Sequence, residues 1–383
     1  MKLFYYAVLL LLPLHSTAAV MPPSIEARNY VLVDYDTGQI LAAKDPHVQV
    51  EPASTTKLMT AYVVFKALRE QRLELHQKIA VSNTAWRKPG SSMYIDPRMN
   101  VPVEDLIKGM LVQSGNDATN LLAETLGGTS DGFVPLMNFE AQILGMKNTS
   151  FQNPEGLPTP NHLSTAYDLA VLGRSILKEF PEYSHFFSIK NYYYPGTPSA
   201  NSANPNLLLF RDPTVEGLKT GFTDSAGYCL VAAASRNTDG YGNRRLIAVL
   251  MGTKSSKARA DETQKLLTWG FRNTQPVRLS LTGTGYESIR VWKGTSNYLR
   301  MGIEATTVVV PSDLAPSVKT HFIIPDILMA PIAAGQSIGK LVVSLEGRTI
   351  QEIPIIALEK VDEANFITRL WDSLVIFFKG LID

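Results

Sequence analysis

Apolar positions along the chain switch between the two-residue period of strands and the 3.6-residue period of helices, and the switches mark its organisation. In "NYVLVDYDTGQILAAKD" apolar residues alternate on both sides of Asp36-Thr37-Gly38, which predicts a β-hairpin with a short glycine-containing turn. The run from Leu58 to Phe65 in "EPASTTKLMTAYVVF" predicts a helix buried on most sides. Next, "VPVEDLIKGMLVQ" sets Val103, Leu106, Ile107, Met110 and Leu111 at helical spacing. "DATNLLAETLGG" ends in a Gly-Gly stop, and "STAYDLAVLGRSIL" opens a further helix with Ser164 at its head and Asp168 near its start. From Val215 the strand period returns in "VEGLKTGF", "YCLVAAASR" and "RLIAVLMG", joined by "TDSAG" and "NTDGYGN", so antiparallel neighbours are expected. "SKARADETQKLLTWGF" is helical again. A sheet made of the first hairpin and three late strands, with helices between them in sequence, predicts an α/β layered domain with a central antiparallel sheet over residues 20–275.

After Pro276 the texture becomes short strands. Residues 276–361 predict a small all-β sandwich domain, with a hairpin turn at Glu346-Gly347. Residues 362–383 place Phe366, Ile367, Leu370, Trp371, Leu374, Val375, Phe378, Leu381 and Ile382 on one helical face. Such a tail either docks on a domain core or lies in a membrane surface. Its terminal position and its Phe/Trp content favour an amphipathic membrane-anchoring helix, held by apolar burial because the tail is poor in Lys and Arg. At the other end Lys2, the run "LFYYAVLLLLPL" and the small residues "STAAV" predict a signal peptide over residues 1–19, cleaved after Ala18 or Ala19. The run is short for a membrane span. The expectation is an exported, periplasmic protein attached peripherally to the outer face of the inner membrane.

Composition removes other classes. The 383 residues are 45% hydrophobic and 19% charged with a formal net charge of +1, and no basic run exceeds a pair such as Arg244-Arg245. Nucleic-acid binding is not expected. Cys229 is alone, so no internal disulfide can form, and its apolar run predicts a buried small hydrophobe. The six histidines form no metal-ligand spacing, so neither a metal nor another cofactor is expected. His162 lies among loop polar residues and reads as a solvated loop histidine.

The chemistry starts at Ser54 and Lys57. They stand three residues apart, close to one helical turn, so they face the same way. Burial disfavours an ammonium and so does a helix N-terminus, so the Lys57 pKa is expected to fall. A hydroxyl beside an amine that prefers to be neutral is a nucleophile with its base. S-x-x-K is weak alone, since Ser337 to Lys340 also matches it within a strand-like stretch. Ser114-Gly115-Asn116, between two predicted helices, offers a hydroxyl to relay a proton and an amide to hold a lysine and a substrate amide. Its other matches, Ser199-Ala200-Asn201 and Ser202-Ala203-Asn204, fall in a polar Tyr/Pro/Asn loop. Lys219-Thr220-Gly221 joins a cation and a hydroxyl suited to a carboxylate with a glycine that lets a substrate backbone lie along the strand edge.

In this order, "ASTTK", "SGN" and "KTG" resemble the signature motifs of the penicillin-recognising serine acyl-transferases, whose first domain has the β-lactamase/transpeptidase-like fold. Together with "VLVDYDTGQIL", "GLKTGFTDSAGY" and "KLLTWGF", the resemblance is to D-alanyl-D-alanine carboxypeptidases of the low-molecular-mass penicillin-binding protein 5/6 type, over nearly the whole mature chain. It implies hydrolysis of the terminal D-alanine of peptidoglycan stem peptides, with β-lactams as covalent inhibitors. Ser54 would form the acyl-enzyme, Lys57 would be its base, and Ser114 and Asn116 would move protons and position substrate. Lys219 and Thr220 would hold the substrate carboxylate with help from Arg259. The backbone N–H groups of Ser54 and Phe222 would form the oxyanion hole. Phe222 departs from the His that some relatives carry after K-T-G, which bears on specificity. A class A β-lactamase would carry S-D-N and a Glu-x-x-x-Asn loop, and no such loop occurs between 117 and 218. An endopeptidase cutting crosslinks is the enzymatic alternative, though its kin resemble only the first domain. A non-catalytic wall-binding scaffold would not need the intact polar set.

Overall fold

The first hairpin forms where the alternation places it: β1 (Asn29–Asp34) pairs antiparallel with β2 (Ile40–Lys44). The computed structural model describes residues 21–199, 202–280, 288–304 and 306–382; the expected signal peptide, residues 1–19, lies outside them. A 3-10 turn, Ala53–Thr56, leads into α1 (Lys57–Arg69), which is buried nearly all round. Then come the short paired strands β3 (Lys78–Ala80) and β4 (Asn100–Pro102), with α2 (Asn83–Trp86) between them. The helices α3 (Val103–Leu111), α4 (Asn116–Gly127), α5 (Ser130–Ile143), α6 (Ala166–Glu179) and α7 (Leu208–Arg211) follow. α4 stops at Gly128, whose φ of 74° suits glycine. α6 is capped by Thr165 rather than opened by Ser164, its hydroxyl accepting from the Asp168 N–H.

The long strands β5 (Val215–Thr223), β6 (Gly227–Thr238) and β7 (Gly242–Thr253) are antiparallel neighbours, followed by α8 (Ser256–Asn273). The central sheet has the order β2-β1-β7-β6-β5. Both its faces are covered. Val31, Val33, Val231, Ala233, Ile247 and Val249 pack among the helices that precede the late strands. Tyr30, Leu32, Leu230, Ala232, Leu246 and Ala248 pack against Ala260, Leu266 and Leu267 of α8. Neither face meets water, which is why these strands read as continuous apolar runs.

The second domain is all-β. β8 (Thr274–Leu279), β9 (Ser288–Trp292), β10 (Tyr298–Gly302), β11 (Thr306–Pro311), β12 (Val318–Ile323), β13 (Leu328–Met329), β14 (Ser337–Leu345) and β15 (Arg348–Ala357) form two sheets. One has six strands in the order β12-β14-β15-β10-β9-β13, and the other is the β11-β8 ribbon. Leu279, Val308 and Val310 of the ribbon share an apolar cluster with Leu299, Leu341, Val343 and Ile355 of the larger sheet. The β14–β15 turn falls at Glu346-Gly347, both with positive φ, as a tight hairpin requires. In β14, Ser337 and Lys340 stand three residues apart on a strand, where that spacing separates the faces, and Lys340 pairs with Glu352 at 2.8 Å. The second S-x-x-K match is thereby accounted for.

α9 (Phe366–Ile382) ends the chain. Its polar side docks: buried Asp372 accepts from the Lys293 N–H at 2.6 Å, and Arg369 pairs with Glu363. Its apolar side does not, because Phe366, Ile367, Leu370, Trp371, Leu374, Phe377 and Phe378 are exposed. Phe377 joins this face, and Val375 is half-buried instead. No helix among the described residues is long and apolar enough to cross a membrane.

A buried ion pair closes the end of the central sheet nearest the second domain. Arg244, wholly buried, donates to Asp34 Oδ2 at 3.0 Å and to the Thr274 carbonyl and hydroxyl at 2.6 and 2.9 Å. Asp34 Oδ1 takes the Thr37 N–H and hydroxyl of the β1–β2 turn. Removing one partner of such a pair leaves an uncompensated charge out of water. Asp34→Ala is expected to lower the unfolding free energy by about 3–5 kcal/mol, read from urea denaturation at neutral pH.

Candidate active site

Three elements meet at Ser54: the 3-10 turn that carries it, the bend between α3 and α4, and the edge strand β5. The meeting is close because Gly221 has no side chain. A Cβ there would stand 3.1 Å from the Ala53 Cβ, the Pro52 carbonyl oxygen and the Ser54 nitrogen. The glycine of K-T-G therefore lets β5 lie against the nucleophile's own turn, besides leaving its outer edge open.

Lys57 is fully buried, at the first position of α1. Its Nζ lies 3.0 Å from Ser54 Oγ, 2.7 Å from Asn116 Oδ1 and 2.8 Å from the Glu155 carbonyl oxygen. Burial pushes its pKa down to about 7, against the opposing pull of the Glu155 and Asp117 carboxylates. Two of the three partners are carbonyl oxygens, which can only accept. A neutral amine has two N–H bonds, and those two oxygens claim both. Its lone pair is then left facing the Ser54 hydroxyl, which is the geometry of a base addressing its nucleophile.

The α3–α4 bend supplies Ser114, Asn116 and Asp117. Ser114 has a φ of 59°, a left-handed conformation that turns the chain back toward β5. Lys219 Nζ, also wholly buried, donates to Ser114 Oγ at 3.0 Å and to the Thr220 carbonyl at 3.0 Å. Burial first, then repulsion by Lys57 and Arg259, holds the Lys219 pKa well below the usual lysine value. Asn116 uses one amide N–H on the Pro89 carbonyl at 2.7 Å, which leaves its second N–H for a ligand. Asp117 orders the loop before β4 by accepting from the N–H groups of Met93 and Ile95 and from the Ser92 hydroxyl.

Arg259 is buried, not solvated. Its guanidinium donates to the Pro205 carbonyl at 2.8 Å and reaches the Gly221 and Cys229 carbonyls at 3.4 and 3.5 Å, so it braces β5 from behind. Burial lowers its pKa to about 10. Phe222 is half exposed and its ring leans on Tyr228, with centroids 4.3 Å apart. Cys229 is buried, as its apolar run predicts.

The structure corrects the reading of His162, which is buried rather than solvated. Its Nδ1 accepts from the Gln152 N–H at 2.9 Å, so the ring proton sits on Nε2 and points at Thr56 Oγ1, 2.8 Å away. The Thr56 hydroxyl in turn donates to the Ala53 carbonyl, just before the nucleophile. Burial takes the His162 pKa down to about 4, so the ring stays neutral at ordinary pH. Asn204 of the discounted Tyr/Pro/Asn loop is also buried, its side chain bonded to the Ile189 carbonyl, whereas Ala200 and Asn201 lie outside the described residues.

The motifs thus bring Ser54, Lys57, Ser114, Asn116, Lys219, Thr220, Gly221 and Phe222 together. They leave out the carbonyl partners that complete the site, Glu155 and Pro89. The turn residues of "NPEGL" were the available signal for the first. Among the described residues no cluster of His, Cys, Asp and Glu could hold a metal ion.

Comparison with known proteins agrees with this arrangement. Residues 16–255 match the D-alanyl-D-alanine carboxypeptidase family, and residues 275–363 match the C-terminal domain of penicillin-binding protein 5. The chain is 39% identical over 367 residues to the D-alanyl-D-alanine carboxypeptidase DacA of Haemophilus influenzae, covering 94% of this chain and 92% of that one. The crystal structure of penicillin-binding protein 5 from the same organism superposes with a TM-score of 0.83 at 38% identity, over 90% of this chain and all (100%) of that one. Penicillin-binding protein D2 of Listeria monocytogenes, solved with ampicillin bound, matches with a TM-score of 0.59 at 30% identity, over 66% of this chain and 100% of its own. The chain belongs to the D-alanyl-D-alanine carboxypeptidase family of penicillin-binding serine peptidases, in the form that carries the penicillin-binding protein 5 C-terminal domain.

Proposed function

We propose that the protein removes the terminal D-alanine from peptidoglycan stem peptides through an acyl-enzyme on Ser54, and that β-lactams acylate the same hydroxyl. The observation that carries this reading is the lone-pair geometry of Lys57, whose two carbonyl acceptors leave Ser54 Oγ as the group its nitrogen can deprotonate. As Oγ bonds to the penultimate D-alanine carbonyl, its proton passes to Lys57 Nζ. The Ser54 and Phe222 N–H groups receive the developing oxyanion. The carbon–nitrogen bond then breaks, and the leaving amine takes a proton through Ser114. Water adds to the ester, which releases the shortened peptide and frees Ser54.

The carboxylate subsite follows from Lys219. Burial and two cationic neighbours disfavour this cation. A substrate carboxylate supplies the missing anion, so binding and charging of Lys219 favour each other. Thr220 adds a hydroxyl there, and Arg259 contributes positive charge from behind Gly221. The outer edge of β5 is unpaired within the sheet and can take a peptide backbone alongside.

The exposed apolar face of α9 supports attachment to a membrane surface, and the N-terminal leader pattern supports export. The protein would then work in the periplasm, at the outer face of the inner membrane. Each large side chain contributes on the order of 1.5–3 kcal/mol when fully buried, and shallow insertion realises part of that.

Penicillin is expected to label Ser54 covalently, with the adduct mapped by mass spectrometry to residues 51–65; an adduct on Ser114 would refute the assignment. Acylation should rise with pH through a midpoint close to 7, because Lys57 acts neutral and its folded pKa is lowered to about that value. Lys57→Arg should lose at least about a hundredfold in acylation rate, as guanidinium keeps its proton, whereas Lys219→Arg should retain measurable carboxypeptidase activity. The full chain should sediment with membranes and stay there in high salt, and a chain ending before Asn365 should be soluble and still bind penicillin. Release by salt alone would remove the anchoring role.

A further inference from the structure

One buried acid beside the site has no part in the three motifs. Glu155 lies in the turn Asn153-Pro154-Glu155-Gly156-Leu157, held by the Asn153 side chain, which accepts from the N–H groups of Gly156 and Leu157. Gly156 has a φ of 87°, and a Cβ on it would fall 1.9 Å from the Ala53 carbonyl oxygen, so the turn is pressed onto the nucleophile's own loop. The Glu155 main-chain oxygen takes one Lys57 N–H, while the neighbouring Pro154 oxygen takes the Thr60 hydroxyl from the next turn of α1.

The Glu155 side chain is equally placed. It is 1% exposed, one carboxylate oxygen lies 2.9 Å from Lys88 Nζ, and the other is buried without a hydrogen-bond partner among the described residues. Lys88 belongs to the loop whose Pro89 and Ser91 carbonyls accept from the Asn116 side chain and main chain. The Lys88–Glu155 pair therefore joins the two loops that supply the partners of the Lys57–Asn116 couple.

We propose that Glu155 is a positioning residue for acylation: its carbonyl fixes the Lys57 amine, and its carboxylate, clamped by Lys88, sets how readily that amine holds a proton. The inference rests on Lys57 being the base. The charged groups that bear on Lys57 from the elements around it are Glu155 from this turn, Asp117 from the start of α4 and Lys219 from β5. His162, behind the Ser54 turn, is neutral at ordinary pH. Burial drives Lys57 toward the neutral form, and Glu155 is the larger of the two opposing carboxylate influences. With the carboxylate, Lys57 titrates near neutrality and can both take the Ser54 proton and hold it until the leaving amine needs one. Without it the amine would be neutral at lower pH but a weaker base.

The test is the pH profile of acylation by a fluorescent penicillin, measured on the full chain and on Glu155→Gln, which keeps the size of the side chain and removes its charge. The acidic limb is expected to move down by about one pH unit or more, with a plateau rate several-fold lower. Glu155→Gln also leaves Lys88 unpaired, so E155Q/K88M, which lacks both charges, is measured beside it and should shift the same way. Where Glu155→Gln does not fold, the double variant carries the test. A limb that coincides with that of the unaltered protein in a folded variant overturns the proposal. Absence of any limb near neutrality in the unaltered protein refutes Lys57 as base instead, so the two failures are distinguishable.

Discussion

An amine wholly out of water is expensive to charge, and the catalytic domain is arranged around keeping the Lys57 amine in that condition while leaving it reachable by one hydroxyl. α1 is buried nearly all round, so its first residue cannot turn toward solvent. The space around Nζ is filled by acceptors drawn from α4 and from the turn at Glu155, far apart in sequence and brought together by the packing of helices on one face of the sheet. Lys219 meets the same constraint from the opposite side, buried as fully and joined to Ser114. Burial and the charge of Lys57 both disfavour the cationic form of Lys219. On the proposed reading chemistry and recognition are coupled: the carboxylate that marks a substrate would also favour the charged form of Lys219.

The backbone is bent into unusual conformations at these same places. Ala53 before the nucleophile, Ser114 itself and Leu218 before Lys219 all have positive φ, at 48°, 59° and 86°. Each costs on the order of 1–3 kcal/mol for a residue with a side chain, and persists only where its surroundings over-determine it. For Ala53 the surroundings are visible: its carbonyl is held by Thr56, which is held by His162, which is held by the Gln152 N–H. The histidine has a mechanical role, because the nucleophile's position is referred back through three hydrogen bonds to the backbone of a loop on the far side.

The sequence carried the fold through periodicity, and it did so best where burial was one-dimensional. The continuous runs of β6 and β7, the Gly-Gly stop of α4 and the Glu346-Gly347 hairpin are local signals and stand where expected. The side chains of the candidate site were legible because the motifs fix their order and their spacing within each element. What escaped were the main-chain carbonyls that hold Lys57 and Asn116. The carbonyls of Glu155 and Pro89 have no signature in residue type, since any residue could present an oxygen there. His162 escaped for a related reason: a polar residue in a loop is usually solvated, and only long-range packing buries this one. The tail was legible as amphipathic, yet the side it docks with is the polar one, through Asp372.

The turn of the first hairpin also reaches across to the second domain. The Gln39 side-chain amide donates to the Val309 carbonyl and accepts from the Val309 N–H, at 2.8 and 3.1 Å, so it sits on β11 as a residue of a neighbouring strand would. Nearby, Arg278 of β8 donates to the Tyr241 carbonyl in the β6–β7 turn, and the Tyr241 hydroxyl reaches Asp36. Two covalently separate turns of one sheet thus grip two neighbouring strands of the other domain. A single linker would act as a universal joint. A grip with several points on two strands resists swivelling about the linker axis and keeps a heading. With the attachment through α9 proposed above, an enzyme gripped this way would present its cleft over a narrow cone of directions, and would search a wall of fixed geometry with fewer wasted orientations.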